Sequence, residues 1–374
     1  MSDVNVDNEY SITKVYEAAT TLIGQPVLEN GKTMGLASYG SDKKYHSLFL
    51  NGSPITNYFT NIIDEDGDNV VIFKDQKDNI TKKITQNNYK FYADKAKHVQ
   101  LETQEESLRL IKKYISKTKI KNVCIVGGYG LNVVANNYYI NFYFEPVADD
   151  TGIAMGAAYF KYRNLTKDNK VITPKNNFYH YYEDSKINKG TKATMEDVCR
   201  LLIDQKSVAI FEGAAEAGPR ALGHRSILFD SRNKNCKNIV NKIKNREWYR
   251  PFAGVILKKQ FKKYFNTLGL EESNNMTINF KCKKNTAKLF PGVVHVDNSC
   301  RVQTVSSGFL YELLKQFNKL TKCPVLLNTS LNLAGEPLVN TKEEALLLLN
   351  KSKLDAIYFV DEKKLIQKEK HESK

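Results

Sequence analysis

The chain has 374 residues, of which 41% are hydrophobic and 26% charged, as in a globular protein with room for two domains. The formal net charge of +15 comes mostly from lysines in Lys- and Asn-rich stretches, with no nucleic-acid-binding module around them. We therefore do not expect nucleic acid as a partner, although part of the charge can attract anionic substrates. No apolar run reaches the length of a membrane span, and the N-terminus is acidic and polar. These features predict a cytoplasmic protein with no membrane partner.

Three features mark the first part of the chain. Residues 11–23 place apolar side chains at helical spacing behind Ser11, a candidate helix N-cap. Gly31–Gly40 (GKTMGLASYG) holds so many small residues that we expect an irregular loop. Gln100–Ser116 alternates acidic and basic residues around apolar positions, which predicts an amphipathic helix.

Two glycine-containing segments follow strand-like runs. Asn122–Val126 predicts a buried strand that leads into GGYGLN and a helix, and Phe142–Phe144 predicts a second strand before a loop at Ala148–Ala158. Strand, glycine turn and helix, twice over, indicate α/β architecture. Backbone N–H groups at such turns can bind phosphate, but glycine is also common there without a ligand. The sequence alone leaves both interpretations open.

A polar stretch without periodicity, from about Arg163 to Lys192, predicts a linker between two domains. The elements predicted beyond it are helices at Thr194–Leu202, Leu310–Asn318 and Lys342–Leu349, and strands at Val208–Phe211, Val293–Val296, Arg301–Val305 and Val325–Leu327. The charged end, Lys363–Lys374, predicts a tail without regular structure.

The strongest chemical signal is a set of cationic residues beyond this linker. Arg220, Arg225 and Arg301 lie in glycine-flanked or apolar segments, where a solvated surface ion pair is the less favoured interpretation. Guanidinium groups near glycine turns suit bidentate binding of phosphate oxygens. For Lys244, which lies in a lysine-rich stretch, the surface interpretation stays open.

Other candidates for metal or acid–base chemistry are weaker. The six cysteines are scattered without a C-x-x-C pair, so they predict neither a zinc site nor a disulfide framework. His295 beside Asp297 fits an acid–base pair or a structural histidine equally well. Asp149 and Asp150 can ligate a divalent cation or cap a helix.

Seven segments form a series that runs through nearly the whole chain. They are GKTMGLASYG, GGYGLNVVAN, DDTGIAMGAA, GPRALGHRSIL, WYRPFAG, HVDNSCRVQTV and LLNTSLNLAGEPLV. Together they resemble the O-carbamoyltransferases of the nodulation-factor and antibiotic type (NodU/CmcH/TobZ). The resemblance implies an α/β fold, with the second half of an actin/hexokinase-like (ASKHA) domain at residues 1–165 and a YrdC-like α/β domain at 193–362. A linker at 166–192 and a charged tail at 363–374 complete this predicted division.

The resemblance also implies a reaction. Carbamoyl phosphate and ATP give a carbamoyl-adenylate in the second domain, and the carbamoyl group then moves to a hydroxyl of a small-molecule acceptor (sugar, nucleoside or antibiotic-like). The implied catalytic residues are Arg220, Lys244, Arg250, Arg301 and Asn328. The implied ATP-binding residues are Ser330, Asn332, Gly127, Gly128, Asn132 and Gly152, and Asp150 matches the family's aspartate metal ligand.

One departure from the family pattern concerns the N-terminus. The pattern begins upstream of Ser11 with paired histidines that bind iron, and nothing corresponding occurs here. We therefore expect the chain to lack the N-terminal part of its first domain, so that Fe²⁺ or another divalent metal binds only with the missing segment. A separate N-terminal carbamoyltransferase polypeptide can supply that segment. Two alternatives stay open: a threonylcarbamoyl-adenylate-type tRNA modification enzyme, and a non-catalytic nucleotide-binding subunit of a split carbamoyltransferase.

Overall fold

The computed structural model describes residues 10–43, 45–63, 67, 69–76, 84–139, 142–167, 179–181 and 185–368. The helices in these ranges are α1 (Ile12–Leu22), α2 (Asn30–Ala37), α3 (Tyr89–Thr118), α4 (Val133–Asn136), α5 (Ile153–Thr166), α6 (Met195–Ile203), α7 (Cys236–Ile243), α8 (Phe261–Tyr264), α9 (Thr286–Leu289), α10 (Gly308–Thr321) and α11 (Lys342–Lys351). Short 3₁₀ helices lie at Val27–Glu29, Thr56–Tyr58, Lys74–Gln76, Gly128–Leu131, Asp150–Gly152 and Lys258–Gln260.

The strands are mostly short in the first half of the chain and longer in the second. They are β1 (Phe49–Leu50), β2 (Ser53–Pro54), β3 (Phe59–Ile63), β4 (Asn69–Phe73), β5 (Cys124–Ile125), β6 (Tyr143–Phe144), β7 (Tyr179–Tyr181), β8 (Thr191–Lys192), β9 (Val208–Phe211), β10 (Ala215–Glu216), β11 (Arg225–Asp230), β12 (Ala253–Leu257), β13 (Asn279–Lys281), β14 (Ser299–Val305), β15 (Val325–Ser330), β16 (Ala356–Phe359) and β17 (Lys364–Gln367).

The chain divides into two compact units. The first comprises Met1–Cys124 and Val134–Tyr143, and the second comprises Ile125–Val133 and Phe144–Lys374. Packing therefore groups both glycine-containing segments with the second unit, whereas the sequence analysis assigned them to a first domain that ends at residue 165. The predicted domain boundaries themselves stay a prediction.

In the first unit, three helices pack on one another, and α1 also packs on a β-hairpin. Ser11 is the N-cap of α1, as predicted, and its Oγ accepts a hydrogen bond from the Lys14 N–H. α1 contacts α2, α3 and β4, and β4 pairs antiparallel with β3. The core of this unit includes Val15, Leu36, Ile72, Ala93 and Ala96, all fully buried. The predicted amphipathic helix is confirmed as α3, although α3 begins at Tyr89 rather than Gln100.

The prediction of an irregular loop at Gly31–Gly40 was wrong, because Asn30–Ala37 form α2. This helix packs against α1 and α3, and Thr33, Gly35, Leu36 and Ala37 are buried. The Thr20 hydroxyl bonds the Asn30 side chain at 2.6 Å and the Thr33 hydroxyl at 2.8 Å. Burial and these bonds outweigh the poor helix propensity of glycine. A local sequence pattern reflects only that propensity and not the burial.

The second unit is built on a mixed sheet. Among the described residues it has nine strands in the order β13-β14-β12-β15-β11-β9-β16-β17-β8. The pairs β12–β14 and β9–β16 are parallel, and the other neighbouring pairs are antiparallel. Helices cover this sheet, so the predicted α/β class is confirmed.

Residues 208–211 of β9 alternate between two apolar cores. Val208 and Ile210 belong to one cluster with Leu313 of α10, and Ala209 and Phe211 belong to another with α11. This alternation is the period of two expected for a strand buried on both faces. Within the described ranges, no helix has both the length and the hydropathy needed to cross a bilayer.

Three elements of this unit differ from the prediction. Val293–Val296 form turns rather than a strand, and the strand nearby is β14. β11 was not predicted, because its charged ends, Arg225 and Asp230, obscure the apolar pattern even though all six residues are buried. The predicted tail is wrong for Lys364–Gln367, which pair as β17 with β16 and β8. Residues 369–374 of that tail lie outside the described residues.

Candidate functional site

One buried carboxylate closes the loop of residues 217–224, between β10 and β11. Glu216, only 6% exposed, accepts hydrogen bonds through Oε1 from the N–H groups of Leu222 at 2.6 Å and His224 at 2.8 Å. Its Oε2 accepts from the Arg225 N–H at 3.1 Å. Gly218 has φ +83°, and a Cβ there would lie 2.6 Å from the Val147 side chain, so this turn requires glycine. The arginine in the middle of the loop is therefore carried on a fixed backbone.

Under this loop, three strands present a row of paired residues. Arg301 of β14 pairs with Ala253 of β12, and Ala253 pairs with Asn328 of β15. Directly paired residues point to the same face of a sheet, so Arg301 and Asn328 flank Ala253 on one face. Their Cα atoms are separated by two strand spacings, about 10 Å. Ala253, the residue between them, has only a methyl side chain and is fully buried.

Two amide side chains fasten the loop to this row. Asn328 Nδ2 donates to Gln303 Oε1 at 2.7 Å and to the Ala221 carbonyl at 3.4 Å. Gln303 Nε2 donates to the Leu222 carbonyl at 2.7 Å. Because these carbonyls directly follow Arg220 in the chain, the bonds hold that arginine close to the strand face.

The resulting neighbourhood is strongly cationic. Burial lowers the pKa of Arg301 well below its usual range, and Arg220, Arg246 and Arg250 lower it further. Burial and the charge of Arg250 lower the pKa of Arg220 to about 10, against an opposing effect of Asp149. Arg301 Nε is buried without a hydrogen-bond partner in the described part of the chain. A group of guanidinium charges with one such unused N–H donor suits an anion.

Lys244 is close to these arginines but is used differently. Its side chain is 1% exposed, and its ammonium group donates to Asn332 O and Oδ1, each at 2.7 Å, and to Ser330 O and Oγ. Burial lowers its pKa well below the usual range, and Arg246 and Arg250 lower it further. The structure thus brings Lys244 to the predicted Ser330 and Asn332, where it holds their loop in place.

Arg225, a phosphate candidate in the sequence, is fully buried beside the strand core. Its Nη1 donates to Glu212 O at 2.8 Å, its Nη2 donates to Gly213 O at 3.0 Å, and the guanidinium carbon lies 3.5 Å from the centre of the Phe211 ring. The same Nη2 donates to Asn340 O at 3.2 Å. These bonds tie main-chain segments together, so Arg225 supports the loop and does not join the cationic cluster.

The first glycine segment lies beside the cluster, within the same unit. Gly127 and Gly128 are exposed and lie at the start of the 3₁₀ helix Gly128–Leu131, and the helix predicted after GGYGLN is the one-turn α4 (Val133–Asn136). Arg220 Nη2 donates to the Leu131 carbonyl at 3.3 Å, next to the buried Asn132. The structure therefore brings the predicted ATP-binding residues of this segment near Arg220.

The second glycine segment offers less to a ligand. A Cβ on Gly152 would lie 2.2 Å from the Val147 carbonyl, so internal packing already explains this glycine. Asp149 caps the following 3₁₀ helix by accepting from the Thr151 N–H at 3.2 Å, and Asp150 is exposed. Over the described ranges, no group of three or more His, Cys, Asp or Glu side chains could hold a metal ion. A metal at Asp150 stays a prediction.

The sequence analysis missed three residues that shape the site: Glu216, Gln303 and Ala253. Gln303 lies two positions after Arg301 within the predicted strand Arg301–Val305, so the alternation of that strand already places both side chains on one face. Glu216 is recognisable only as an acidic residue before a Gly-Pro turn. Ala253 carries no chemical signal, and its role depends on which strands lie on either side of it.

Two family models describe this chain. Carbamoyltransferase C-terminus matches residues 199–368, and Carbamoyltransferase N-terminus matches residues 2–159. Both describe transferases of the carbamoyl group. The chain belongs to the carbamoyltransferase family. The N-terminal family domain is thus present, and the expectation that part of it is missing is not supported; a separate polypeptide as partner stays a prediction.

The chain is also similar to individual proteins. The chain is 28% identical to an uncharacterized protein of Synechocystis over 92% of its own length and 65% of that protein's. It is 31% identical to nodulation protein U of Azorhizobium caulinodans over 58% of its own length and 40% of that protein's. The chain therefore spans less than two thirds of either relative. It is also similar to full-length HypF in the phosphate- and nucleotide-bound form, with 19% identity, a TM-score of 0.35, and coverage of 46% of this chain and 24% of that chain, a likeness too low to bear on function.

Proposed function

We propose that this chain transfers a carbamoyl group from carbamoyl phosphate, through an ATP-derived carbamoyl-adenylate, to a hydroxyl of a small-molecule acceptor. The observation that carries the proposal is that hydrogen bonds from Gln303 and Asn328 fasten the loop of Arg220 to the strand face of Arg301, where Arg246 and Arg250 add positive charge. Membership of the carbamoyltransferase family supports the reaction class. In this proposal residues 193–362 form the YrdC-like adenylating domain, and residues 1–165 belong to the ASKHA-like transfer domain.

The chemistry explains why such a cluster is needed. Carbamoyl phosphate and the triphosphate of ATP are both anions, which repel each other when they approach. Fixed guanidinium groups in a partly buried site offset this repulsion and orient both reactants, so little reorganisation is needed during reaction. The spare Nε–H donor of Arg301 fits a phosphate oxygen in this role.

The adenylating step balances with one water. The carbon–oxygen bond between the carbamoyl group and phosphate breaks, and water supplies the oxygen that turns the carbamoyl group into carbamate. A carbamate oxygen then bonds the α-phosphorus of ATP, and the bond to pyrophosphate breaks. The products are carbamoyl-adenylate, phosphate and pyrophosphate. The acceptor hydroxyl later displaces AMP from the carbamoyl carbon.

Each candidate residue has a place in this scheme. Arg220, Arg250 and Arg301 bind phosphate groups, and Asn328 bonds the carbamoyl phosphate. Lys244 acts as a positioning residue, because its ammonium group shares its three N–H donors among four oxygens of Ser330 and Asn332. The nucleotide-binding residues proposed here are Ser330, Asn332, Gly127, Gly128 and Asn132.

The test is carbamoyl-phosphate-dependent release of pyrophosphate from ATP by the purified chain. Replacement of Arg220 by alanine or Arg301 by glutamine should lower the rate by about 10²–10³-fold, the loss typical of one preorganised charge-stabilising donor. The matched control is Arg200→Ala, since the Arg200 side chain is 66% exposed and paired with Glu196 on α6. A folded wild-type chain that releases no pyrophosphate, or cluster variants as active as the control, would contradict the proposal.

A further inference from the structure

One buried side-chain oxygen in the site takes no part in the hydrogen bonds of the described residues. Asn328 is fully buried, and its Oδ1 has no hydrogen-bond partner among the described residues. A buried acceptor without a partner costs free energy, so native proteins keep few of them without a reason. Arg301 lies on the same face, across Ala253 from Asn328.

The neighbours of Asn328 fix which way its amide points. The NH₂ end donates to Gln303 Oε1 and to the Ala221 carbonyl, and a backbone carbonyl can only accept. Gln303 has no freedom to turn either, because its own NH₂ end donates to the Leu222 carbonyl. A flipped Asn328 would set oxygen against oxygen at Ala221. The chain of bonds therefore leaves Oδ1, and not Nδ2, as the unused group.

The unused group complements the cluster around it. Guanidinium groups provide hydrogen-bond donors only, which suits phosphate oxygens and the carbamoyl carbonyl. The carbamoyl NH₂ group is itself a donor and needs an acceptor, which arginines do not provide. The side-chain oxygen of Asn328 is an acceptor held on the same strand face as Arg301.

We infer that Asn328 Oδ1 accepts a hydrogen bond from the NH₂ of the carbamoyl group and so selects carbamoyl phosphate over other acyl phosphates. This inference rests on the proposed function and assigns the specificity of that site. Acetyl phosphate is the matched probe, because it has the same shape and charge with a methyl group in place of NH₂. A site built to bond an N–H group discriminates strongly against an analogue that lacks it.

The experiment compares dissociation constants of the full chain for carbamoyl phosphate and acetyl phosphate by calorimetry, alongside pyrophosphate release. Wild type should prefer carbamoyl phosphate by about tenfold or more, the effect of one buried hydrogen bond. Asn328→Leu should bring the ratio of the two constants to about one, through weaker binding of carbamoyl phosphate only. Asn328→Ala, which makes room for a water beside Gln303, gives the same test if the leucine variant does not fold.

The control variant is Gln303→Leu, which breaks the same side-chain hydrogen bond but keeps Oδ1 in place. It should weaken both ligands alike and preserve their ratio. A wild-type ratio near one, or an Asn328 variant that keeps the wild-type ratio while pyrophosphate release continues, overturns the inference and leaves the proposed function standing. A wild-type chain that neither binds carbamoyl phosphate nor releases pyrophosphate overturns both.

Discussion

The ammonium nitrogen of Lys244 and the side-chain oxygen of Asn332 lie 2.7 Å apart in a buried part of the second unit. Asn332 Oδ1 also accepts from the Ser330 hydroxyl at 2.6 Å, and Asn332 Nδ2 donates to the Glu336 carbonyl at 2.6 Å. The backbones of the two segments are also bonded, since the Ala334 N–H donates to Lys244 O at 3.0 Å. A single lysine thus organises the segment that follows β15.

Replacing this lysine should therefore loosen the whole segment. Lys244→Met removes one donor from the half-buried oxygens of Ser330 and Asn332, which should lower the free energy of unfolding by about 1–3 kcal/mol. The KM for ATP should rise as the loop loses its position. Urea unfolding and steady-state kinetics measure both effects. Lys242→Met is the control, since Lys242 is exposed on the same helix, and equal behaviour of the two variants would contradict this role.

Glu216 should act as a positioning residue for Arg220. Glu216→Ala removes the acceptor of three backbone N–H groups and should cost about 1–3 kcal/mol of stability. The KM for carbamoyl phosphate should rise more than kcat falls, because the loop carries a binding group. Glu216→Gln keeps one carbonyl oxygen for these donors and should restore much of the lost affinity. If the glutamine variant has the same KM for carbamoyl phosphate as the alanine variant, Glu216 does not position Arg220 by accepting these hydrogen bonds.

Arg301 should lower the stability of the ligand-free chain. It is buried among Arg220, Arg246 and Arg250, whose charges oppose its own. Arg301→Gln relieves this repulsion, so the ligand-free variant should gain about 1 kcal/mol or more in unfolding free energy. Inorganic phosphate should raise the Tm of wild type but not of the variant. A variant that is less stable than wild type without ligand, or that phosphate stabilises as much as wild type, would contradict this prediction. It would show that groups of the protein itself neutralise the charge of Arg301.

Gly128 allows the predicted nucleotide role to be tested apart from folding. A Cβ on Gly128 would meet no atom within 4 Å, whereas Gly127 has φ +84° and tolerates substitution poorly. Gly128→Ala should therefore leave stability unchanged within about 0.5 kcal/mol. If a phosphate approaches this backbone closely, the added methyl group should weaken ATP binding by about tenfold, measured by calorimetry. Unchanged affinity would exclude Gly128 from the nucleotide site.

Asp297 should contribute stability that disappears in acid. Although burial raises its pKa, hydrogen bonding by Ser299 and the charges of Lys281 and His295 together hold the pKa below the usual range. A carboxylate with a lowered folded-state pKa stabilises the protein above the unfolded-state value and loses that effect as pH falls through the folded-state value. The stability difference between wild type and Asp297→Asn should thus be largest above the ordinary pKa of aspartate and vanish as pH falls through the lowered folded-state pKa.

The matched control for this titration is Asp204→Asn, since Asp204 is exposed at the end of α6. Urea unfolding at a series of pH values gives the free energies. A gap between wild type and Asp297→Asn that stays constant across the acid range would mean that shape rather than charge makes the contribution.

The sequence by itself determined the family, the α/β class and most of the chemical groups. Motifs such as GPRALGHRS and LLNTSLN place Arg220, Ser330 and Asn332 at glycine turns and strand ends. Such patterns involve residues close together in the chain, so they can be recognised from the sequence alone. Ser11 as a helix cap and the strand at Val208–Phe211 were predicted for the same reason, because capping and buried runs are local signals.

Only the tertiary structure decided how these groups are used. Whether Lys244 meets a phosphate or the Ser330–Asn332 loop depends on contacts across 86 and 88 residues of chain. That Ala253 lies between Arg301 and Asn328 follows from strand order, which pairs segments far apart in sequence. Small residues misled the analysis at Gly31–Gly40, because burial against other helices overrides local propensity. Contacts between distant parts of the chain decide which donors and acceptors remain available to a ligand. The order of residues in the sequence does not show these contacts.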